Sequence, residues 1–281
     1  MRSVEETTAL VTGATDGLGR GVAERLAGGG AHVHLHGRDR DRLDRAAVEI
    51  ERATGNANLA THLADLSSLE QVRALAADVE SSAEQLHLLV NNAGIGSGRP
   101  DATTRQESAD GIELRFAVNY LAGFLLTMRL LPLLRRSAPA RIVNVSSLGQ
   151  APIDFDDPMI ERGYNGVRAY GQSKLAQITF GMELADRLAG VGVTVNSLHP
   201  STFMPTKIVL EQHGDSVDSL EDGIEATVRL AIAPELEGVS GRFFDRRTEA
   251  KADPQAYDRE ARRQLWDLSL ELTGEAGASA P

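Results

Sequence analysis

The sequence predicts an α/β fold, with a Rossmann-like order of elements, in which helices cover both faces of a doubly wound parallel sheet. Short apolar runs alternate with longer stretches whose apolar residues recur every three or four positions, the pattern of strand–helix–strand units. A glycine-rich turn follows the first apolar run, and right-handed crossovers then favour the doubly wound topology. No repeat or linker interrupts the pattern. We therefore expect a single domain over residues 1–272 and a flexible tail over residues 273–281.

The strands and helices are expected in strict alternation over most of the chain. Apolar runs place strands at residues 8–11, 31–36, 59–63, 86–90, 141–145, 193–198 and 241–244. The first three helices bury Val22, Ala23 and Leu26, then Leu43, Ala47 and Ile50, then Val72, Leu75 and Val79, and Ser68 caps the third. A long helix is expected over about residues 110–134, halted by Pro132 and the residues after it, and a last helix over residues 254–272.

The helix that begins near Tyr170 contains a pair of residues with a chemical use. Its apolar positions recur at helical spacing, at Leu175, Ile178, Met182, Ala185 and Leu188. Tyr170 and Lys174, four residues apart, therefore share one face. A phenol is a poor acid or base at neutral pH, and a nearby cation lowers its pKa. We expect Tyr170 to exchange a proton with a carbonyl or alcohol oxygen, and an ordinary surface pair is the alternative.

Composition limits the classes of partner and compartment. The chain has 281 residues, 42% of them hydrophobic, and its net charge of −11 disfavours nucleic acid as a partner. The absence of cysteine removes disulfides, thiolate metal sites and thiol nucleophiles. We find no apolar stretch of about 20 residues and no secretory signal. We therefore expect a cytoplasmic protein with no membrane segment and a small-molecule partner.

The glycine turn lies where the first strand passes into the first helix. Gly13, Gly17 and Gly19 let the backbone approach a pyrophosphate, whose charge is favoured by the free N–H groups of a helix N-terminus. Thr15, Asp16 and Leu18 complete the candidate cofactor-binding turn. A purely structural turn is the alternative, but a strand–turn–helix position favours a dinucleotide.

The end of the second strand indicates which dinucleotide is bound. A site for NAD would place an acidic residue there to accept the ribose hydroxyls, whereas this strand ends in His36-Gly37-Arg38. A guanidinium suits a 2′-phosphate through charged hydrogen bonds, so NADP(H) is favoured over NAD(H). The alternative is that Arg38 only starts a solvated charged run in which Asp39 and Asp41 partly neutralise it.

Five motifs in order resemble the short-chain dehydrogenase/reductase superfamily, and the likeness covers most of residues 7–245. The motifs are Thr12-Gly-x-x-x-Gly17-x-Gly19, Asp65-Leu66, Asn91-Asn-Ala-Gly94, Asn119, and Ser147 with Tyr170 and Lys174. The segments 141–147 and 170–176 and the late Leu265-Trp266 resemble its retinol dehydrogenase-like and carbonyl reductase-like branch. The resemblance implies a Rossmann-like domain that binds NAD(P) and acts on carbonyls or alcohols.

The resemblance also implies roles for individual residues. Tyr170 would be the general acid/base, and Lys174 would bind the nicotinamide ribose and lower the tyrosine pKa. Ser147 would hydrogen-bond the substrate oxygen, and Asn119 would hold a water that relays protons beside the lysine. The remaining residues would contact the cofactor or brace its site, namely Asp65 and Leu66 at the adenine, Asn92 at the central sheet, Ala93 and Gly94 along the ribose, and Pro200 with Thr202 at the carboxamide.

Three departures from the family pattern bear on the site. Pro200-Ser201 stands where the family has Pro-Gly, which would stiffen or shift the nicotinamide edge of the pocket. Asp16 occupies a position that is basic in many NADP-binding members, so its charge weakens the case for NADP. An insertion over residues 153–168 separates Ser147 from Tyr170. It either roofs the substrate cleft or blocks a helix used for oligomer contacts, and a solvated acidic loop is an equal alternative.

Several further residues have candidate roles. His32, His34 and His36 alternate along the second strand, but no carboxylate pattern completes a metal site, so paired or solvated histidines are expected and no metal. Other candidates are an apolar substrate lid over about residues 200–220 with Phe203, Met204 and Ile208, helix packing at Trp266 and Leu268, and His199 either in the core or at the edge of the pocket.

Taken together, the sequence predicts NADPH-dependent reduction of a ketone or aldehyde, or the reverse oxidation of a secondary alcohol. The apolar lid suggests a small or medium apolar substrate, such as an intermediate of secondary metabolism for a ketoreductase. Two alternatives stay open. One is a non-catalytic NADP-binding regulator, which would have no need of Ser147, Tyr170 and Lys174 together. The other is a sugar-nucleotide epimerase, for which the chain is short. A homo-oligomer is compatible with the predicted enzyme.

Overall fold

The computed structural model describes residues 3–98, 102–202, 204 and 217–275. Within them an eight-stranded sheet has the order β3-β2-β1-β4-β5-β6-β7-β8, and only β7 and β8 pair in antiparallel fashion. The strands are β1 Thr8–Val11, β2 His32–Gly37, β3 Leu59–Leu63, β4 Leu88–Asn91, β5 Ala140–Val145, β6 Val193–His199, β7 Phe243–Asp245 and β8 Thr248–Ala250. The prediction of a doubly wound, mostly parallel sheet in one domain is confirmed.

The helices lie on both faces of this sheet. They are α1 Gly17–Gly28, α2 Arg40–Thr54, α3 Leu69–Ser82, α4 Ala122–Arg136, α5 Gly166–Arg187, α6 Leu220–Ile232 and α7 Arg259–Thr273. A π-helical segment, Phe116–Leu121, leads directly into α4. Ser68 caps α3 by accepting a hydrogen bond from the N–H of Gln71, as predicted, and Asp39 caps α2 in the same manner. Asp16 caps α1 by accepting from the N–H of Gly17.

Some element boundaries differ from the prediction. Pro132 lies inside α4, which continues to Arg136 because the leucines on either side of the proline are buried in the core. Residue 110 lies outside any helix, since Glu107 and Glu113 first form an isolated bridge. The helix α6 and the short strand β8 were not predicted. The last helix includes Thr273, and Glu275 pairs with Arg129, so the first residues of the predicted tail contact the fold.

The two largest of the three apolar clusters occupy the two faces of the sheet. One is built by α3, α4, α5 and α7, and the other by α1, α2 and α6. Phe116–Arg136 is long and apolar enough, by length and composition, to cross a membrane, but 72% of its apolar window is buried inside the fold. A core helix of a soluble protein passes the same test, so this segment is weak evidence for a membrane span.

The insertion over residues 153–168 packs against the domain. Ile153 and Ile160 are buried, and the side chain of Gln255 exchanges two hydrogen bonds with the backbone of Ile153. Tyr164 donates a 2.8 Å hydrogen bond to the buried carboxylate of Glu113. That carboxylate also lies 3.3 Å from the buried guanidinium of Arg115. The insertion is therefore held by buried polar contacts, and the alternative of a solvated acidic loop is wrong.

Candidate active site

The predicted site residues meet at the carboxyl ends of β1, β4, β5 and β6. The chain order of the sheet reverses where β1 lies between β2 and β4, and ligands of doubly wound sheets bind in the crevice at such a reversal. Asn92, which follows β4, bonds to Thr12, which follows β1. Its Nδ2 donates to the carbonyl oxygen of Thr12 at 2.8 Å, and its N–H donates to Thr12 Oγ1 at 2.9 Å. The structure thus places Asn92 where it braces the sheet.

The glycine turn is shaped by close backbone contacts. Gly13 has a φ of +68°, and a Cβ there would lie 3.0 Å from the Cα of Ala93. A Cβ on Gly19 would lie 2.3 Å from both Asn92 Nδ2 and the carbonyl oxygen of Gly13. Neither position tolerates a side chain, so the turn lies tightly against the residues that follow β4. Leu18 is buried within the adjoining core.

Charged residues gather where β2 ends beside the glycine turn. A Cβ on Gly37 would lie 2.5 Å from Thr15 Cγ2, so the end of β2 abuts the turn. Asp16 caps α1, and its other carboxylate oxygen accepts a 2.8 Å hydrogen bond from Arg42 of α2. Arg38 is exposed and makes no ion pair in the part of the chain that the structure describes. The Asp16 charge is therefore neutralised by Arg42, while Arg38 remains available to an anion.

Asn119 lies in the π-helical segment and faces the loop after β4. Its Oδ1 accepts from the N–H of Ile95 at 2.7 Å, and its Nδ2 donates to the carbonyl oxygen of Ile95 at 3.1 Å and to Ser173 Oγ at 3.0 Å. A π-helical turn is an insertion in an α-helix and is frequent at functional sites. A Cβ on Gly94 would lie 3.2 Å from Asn119 Oδ1 and 3.6 Å from Lys174 Nζ, which places all three residues together.

Tyr170 lies in the first turns of α5, beside Ser147 at the end of β5. Burial raises the pKa of Tyr170, and a hydrogen bond with Ser147 acts in the opposite direction. The net direction is upward in the protein without cofactor, and the lowering of this pKa by Lys174 stays a prediction for the cofactor-bound protein. Lys174 Nζ lies 5.9 Å from the centroid of the Tyr170 ring and donates its hydrogen bonds elsewhere.

Lys174 is buried one turn along the same helix, with 5% of its side chain exposed. Its ammonium donates to the carbonyl oxygen of Val145 at 2.9 Å and to Gln177 Oε1 at 3.1 Å. Burial lowers the pKa of Lys174 to about 8. Ser146, the neighbour of Ser147, donates a 2.7 Å hydrogen bond to the Lys174 carbonyl oxygen and so fastens β5 to α5.

The turn after β6 is organised by a carboxylate from the start of α6. Asp218 Oδ2 accepts from Ser201 Oγ at 2.9 Å and from the N–H of Thr202 at 2.8 Å, and it also binds the guanidinium of Arg246. The Thr202 N–H and Arg246 lower the pKa of Asp218. Ser201 therefore uses its hydroxyl to bind Asp218 where the family has glycine. Thr202 Oγ1 is engaged by His199 Nε2 at 3.1 Å.

The other predicted contacts have varied environments. Asp65 Oδ1 accepts a hydrogen bond from the N–H of Ser67, and Ala93 donates its N–H to Thr12 Oγ1. Leu66 is buried, and Pro200 is buried beside β6.

The predicted lid and packing residues lie elsewhere. Met204 is buried against Gly223 of α6, whereas Phe203 and Ile208 lie outside the described residues. Trp266 is buried in the core and Leu268 packs against it, as predicted for helix packing.

The strand histidines form hydrogen-bonded pairs. His34 Nδ1 lies 2.8 Å from His62 Nε2, and His62 Nδ1 lies 2.6 Å from Asp78. His36 accepts the N–H of Gly13 at 3.2 Å. Within residues 3–98, 102–202, 204 and 217–275, no group of three or more His, Cys, Asp or Glu residues could hold a metal ion.

Sequence reasoning missed several residues that shape the site, namely Arg42, Gln177, Asp218 and Arg246. None of these residues belongs to a motif, and the fold brings each one into contact with its partner. The nearest signal was local: Gln177 follows Lys174 by three residues and therefore lies on the same face of α5.

The assembled residues fit a dinucleotide cofactor. The N-terminus of α1 offers backbone N–H groups beside a turn without side chains at Gly13 and Gly19, as a pyrophosphate requires. Because Gly94 has no side chain, the space between its backbone and Lys174 Nζ is open to a cofactor. Ser147 and Tyr170 stand at the far end with two hydroxyl groups that can bind one carbonyl oxygen.

Comparisons with known proteins agree with this geometry. Residues 7–215 match the short chain dehydrogenase family. Human retinol dehydrogenase 13 is 40% identical over an alignment of 290 positions, which spans 95% of this chain and 84% of that protein. The crystal structure of an uncharacterized protein from Mycobacterium Paratuberculosis has a TM-score of 0.79 at 28% identity and covers 98% of this chain and 96% of its own.

A further solved structure is similar to most of the chain. The 3-ketoacyl-(acyl-carrier-protein) reductase from Brucella melitensis, complexed with NADH, has a TM-score of 0.67 at 27% identity, covering 86% of this chain and 97% of its own. The family match over residues 7–215 and the 40% identity to human retinol dehydrogenase 13 together show the family of this chain. The chain belongs to the short-chain dehydrogenase/reductase family, in its retinol dehydrogenase-like branch, and is an NAD(P)-dependent oxidoreductase that acts on CH–OH and C=O groups.

Proposed function

We propose that this protein reduces an apolar ketone or aldehyde with NADPH, or oxidises the corresponding alcohol in reverse. The observation that supports this most directly is the grouping of Ser147, Tyr170 and buried Lys174 beside the open backbone path at Gly94. The hydroxyl groups of Ser147 and Tyr170 can hold a carbonyl oxygen there. The Lys174 ammonium lies 5.9 Å from the centroid of the Tyr170 ring. A binding module has no need of that combination.

In this proposal each chain residue has a defined task. Ser147 donates a hydrogen bond to the substrate oxygen, and Tyr170 gives that oxygen its phenolic proton during reduction. The raised pKa of Tyr170 keeps the phenol protonated at neutral pH, as an acid for reduction must be. Bound in the cleft, the nicotinamide would supply the hydride. Lys174 would bind the adjacent ribose and favour the phenolate that forms on Tyr170.

The preference for NADPH rests on the charges at the end of β2. Arg38 is exposed and unpaired among the described residues, and no acidic side chain follows β2 before it. The negative charge of Asp16, which would repel a 2′-phosphate, is already matched by Arg42 at 2.8 Å. The Arg38 guanidinium is therefore the group that this site offers to the 2′-phosphate that distinguishes NADP from NAD.

The test is oxidation of NADPH and of NADH against a panel of apolar ketones, aldehydes and quinones, with Tyr170→Phe alongside. Retinal belongs in the panel because a similar protein is a retinol dehydrogenase. We expect turnover with NADPH, and a loss of about 100- to 10,000-fold in Tyr170→Phe with cofactor binding retained. Turnover that survives the substitution would contradict the role of Tyr170.

Two other functions make different predictions in the same assay. A non-catalytic regulator would bind NADPH tightly and turn over no member of the panel in either direction. A sugar-nucleotide epimerase would be purified with cofactor in mixed redox states. Ser147, Tyr170 and Lys174 are all present and grouped, which favours the reductase. A ketoreductase role in secondary metabolism is the narrowest form of the proposal.

Compartment and assembly are part of the proposal. The acidic composition and the burial of the apolar Phe116–Arg136 segment support a cytoplasmic protein. A homo-oligomer is compatible with the fold, but α7 packs on α5 and its Trp266 contacts Phe124 of α4. Association through those faces of α4 and α5 would require α7 to move. Sedimentation of the purified protein measures the assembly state directly.

A further inference from the structure

The ammonium of Lys174 is held by two neutral oxygen atoms. It donates to the carbonyl oxygen of Val145 at 2.9 Å and to Gln177 Oε1 at 3.1 Å. Lys174 and Gln177 are both almost fully buried. Burying a cation without acceptors is costly. The two acceptors therefore fix where the ammonium lies and how readily it keeps its proton.

No counter-ion among the described residues shares this task. Tyr170, on the same helix, is the ionisable group that faces Lys174. The groups that approach from other elements are neutral: the Val145 carbonyl from β5, Asn119 from the π-helical segment and Gly94 from the loop after β4. Burial alone accounts for the lowered pKa of Lys174. Loss of one acceptor would therefore not be offset by a nearby negative charge.

The orientation of the Gln177 amide is determined by its neighbours. An ammonium only donates hydrogen bonds, so the oxygen of the amide must face Lys174 and its Nε2 must point away. Gln177 also lines a small cavity together with Asn91, whose Oδ1 is buried without a hydrogen-bond partner. The cavity has room for about one water molecule. Such a water could accept from Gln177 Nε2 and donate to Asn91 Oδ1.

We propose that Gln177 is a positioning residue for Lys174, which it holds through Oε1, while a water in this cavity ties its amide to Asn91. The importance of Lys174 in turnover rests on the proposed function above. The placement of the Lys174 ammonium does not rest on the proposed function, because that placement can be measured in the protein without cofactor or substrate.

Lysine-selective labelling gives a direct test because the chain has only three lysines, Lys174, Lys207 and Lys251. With ¹³C at the lysine Cε, titration followed by NMR reports each ammonium, and Lys174→Arg assigns its signal. We expect the Lys174 midpoint near 8 in the parent protein. In Gln177→Leu it should fall by about one pKa unit, and in Gln177→Glu it should rise by at least about one unit.

Gln172→Leu is the matched control, because Gln172 is buried in the same helix but bonds to the insertion at Asp154 and Pro158. It should leave the Lys174 midpoint unchanged. Equal shifts in the two leucine variants, or no shift in any Gln177 variant, would overturn the proposal. Gln177→Glu keeps the test valid if the leucine variant fails to fold.

Two further measurements complete the test. A high-resolution crystal structure of the free protein should show a water within hydrogen-bond distance of Gln177 Nε2 and Asn91 Oδ1, and its absence would remove that part of the proposal. In the NADPH assay, the alkaline limb of the pH profile should move with the NMR midpoint. Midpoints that shift without any turnover would contradict the reductase and leave the positioning of Lys174 intact.

Discussion

Two arginines, Arg38 and Arg42, flank the start of α2 beside the glycine turn. In Arg38→Ala we expect kcat/KM for NADPH to fall by about 10- to 100-fold with kcat/KM for NADH nearly unchanged, because a charged hydrogen bond to the 2′-phosphate is lost. Arg42→Ala should act in the same direction, since it exposes the charge of Asp16 that Arg42 now binds at 2.8 Å. Steady-state kinetics with both cofactors measures the ratio.

The control is Arg40→Ala. Arg40 is an exposed arginine in the same helical turn, and it faces Asp44 on its own helix. It should leave the cofactor ratio unaltered. An NADPH preference that persists in Arg38→Ala, or a parent protein that prefers NADH, would show that the argument from Arg38 is wrong.

Residues that are near one another in sequence were the predictable part of the site. Tyr170 and Lys174 share a helical face, and Gly13 and Gly19 share a turn, so spacing made them candidates, and the ordered family motifs indicated their use. Asp218 could not be found in this manner, because it reaches Ser201 across 17 positions and Arg246 across 28. Such contacts depend on where the sheet brings distant segments together.

The strand β2 contains two buried histidines that are neutral in the folded protein. His34 donates through Nδ1 to His62, and its Nε2 is buried without a partner. His36 accepts from Gly13, so its Nε2 donates to the Ala64 carbonyl oxygen. Burial lowers the pKa of His34 to about 3 and that of His36 to about 4.

These histidines should make the fold sensitive to acid. An unfolded histidine has a pKa of about 6.5 and binds a proton below it, whereas the folded protein resists protonation at both positions. Their stabilisation is complete above pH 6.5 and is lost as pH falls towards 4. We expect the free energy of unfolding to drop by roughly 3–4 kcal/mol between pH 7 and pH 5 from these two groups.

Urea unfolding at several pH values measures this loss, and His34→Gln is the informative variant. It should reduce the dependence of stability on pH by about half, because one of the two neutral histidines is removed. A pH dependence identical to that of the parent protein would contradict the assignment. Protonation of His36 would also remove the acceptor of the Gly13 N–H and so disturb the glycine turn.

Elements with strong local signals were predicted well, and those determined by packing were not. The strands up to β6 agree with the predicted runs because β1, β4, β5 and β6 are buried parallel strands of mainly apolar residues. Pro132 was misread as a stop because propensity favours one, whereas the buried leucines around it keep α4 intact. The π-helical turn at Asn119 has no local signal in the sequence.

At the scale of the whole molecule, α7 joins the helices on one face of the sheet. Trp266, the only tryptophan in the chain, lies 5.5 Å from the ring of Phe124 in α4 and 6.1 Å from that of Phe180 in α5. The guanidinium of Arg187 lies 3.9 Å above the indole. The last helix therefore completes the core that supports α4 and α5, on which Asn119, Tyr170 and Lys174 depend.

Removal of this anchor should destabilise the whole domain. We expect Trp266→Ala to lower the free energy of unfolding by about 3–5 kcal/mol, because a large buried aromatic side chain leaves a cavity. Urea unfolding followed by circular dichroism measures the change. Val48→Ala, at an exposed position, should change stability by less than about 0.5 kcal/mol. A small effect at Trp266 would mean that α7 is not part of the cooperative core.

The central claim is hydride transfer between cofactor and carbonyl carbon, with the proton supplied by Tyr170. The most direct measurement uses NADPH deuterated at C4 of the nicotinamide, with whichever carbonyl compound of the panel is reduced fastest, and locates the deuterium in the product by mass spectrometry and NMR. We predict one deuterium on the new carbinol carbon and almost none formed by Tyr170→Phe. A product without deuterium at that carbon, or equal deuterium transfer by the phenylalanine variant, would contradict the account.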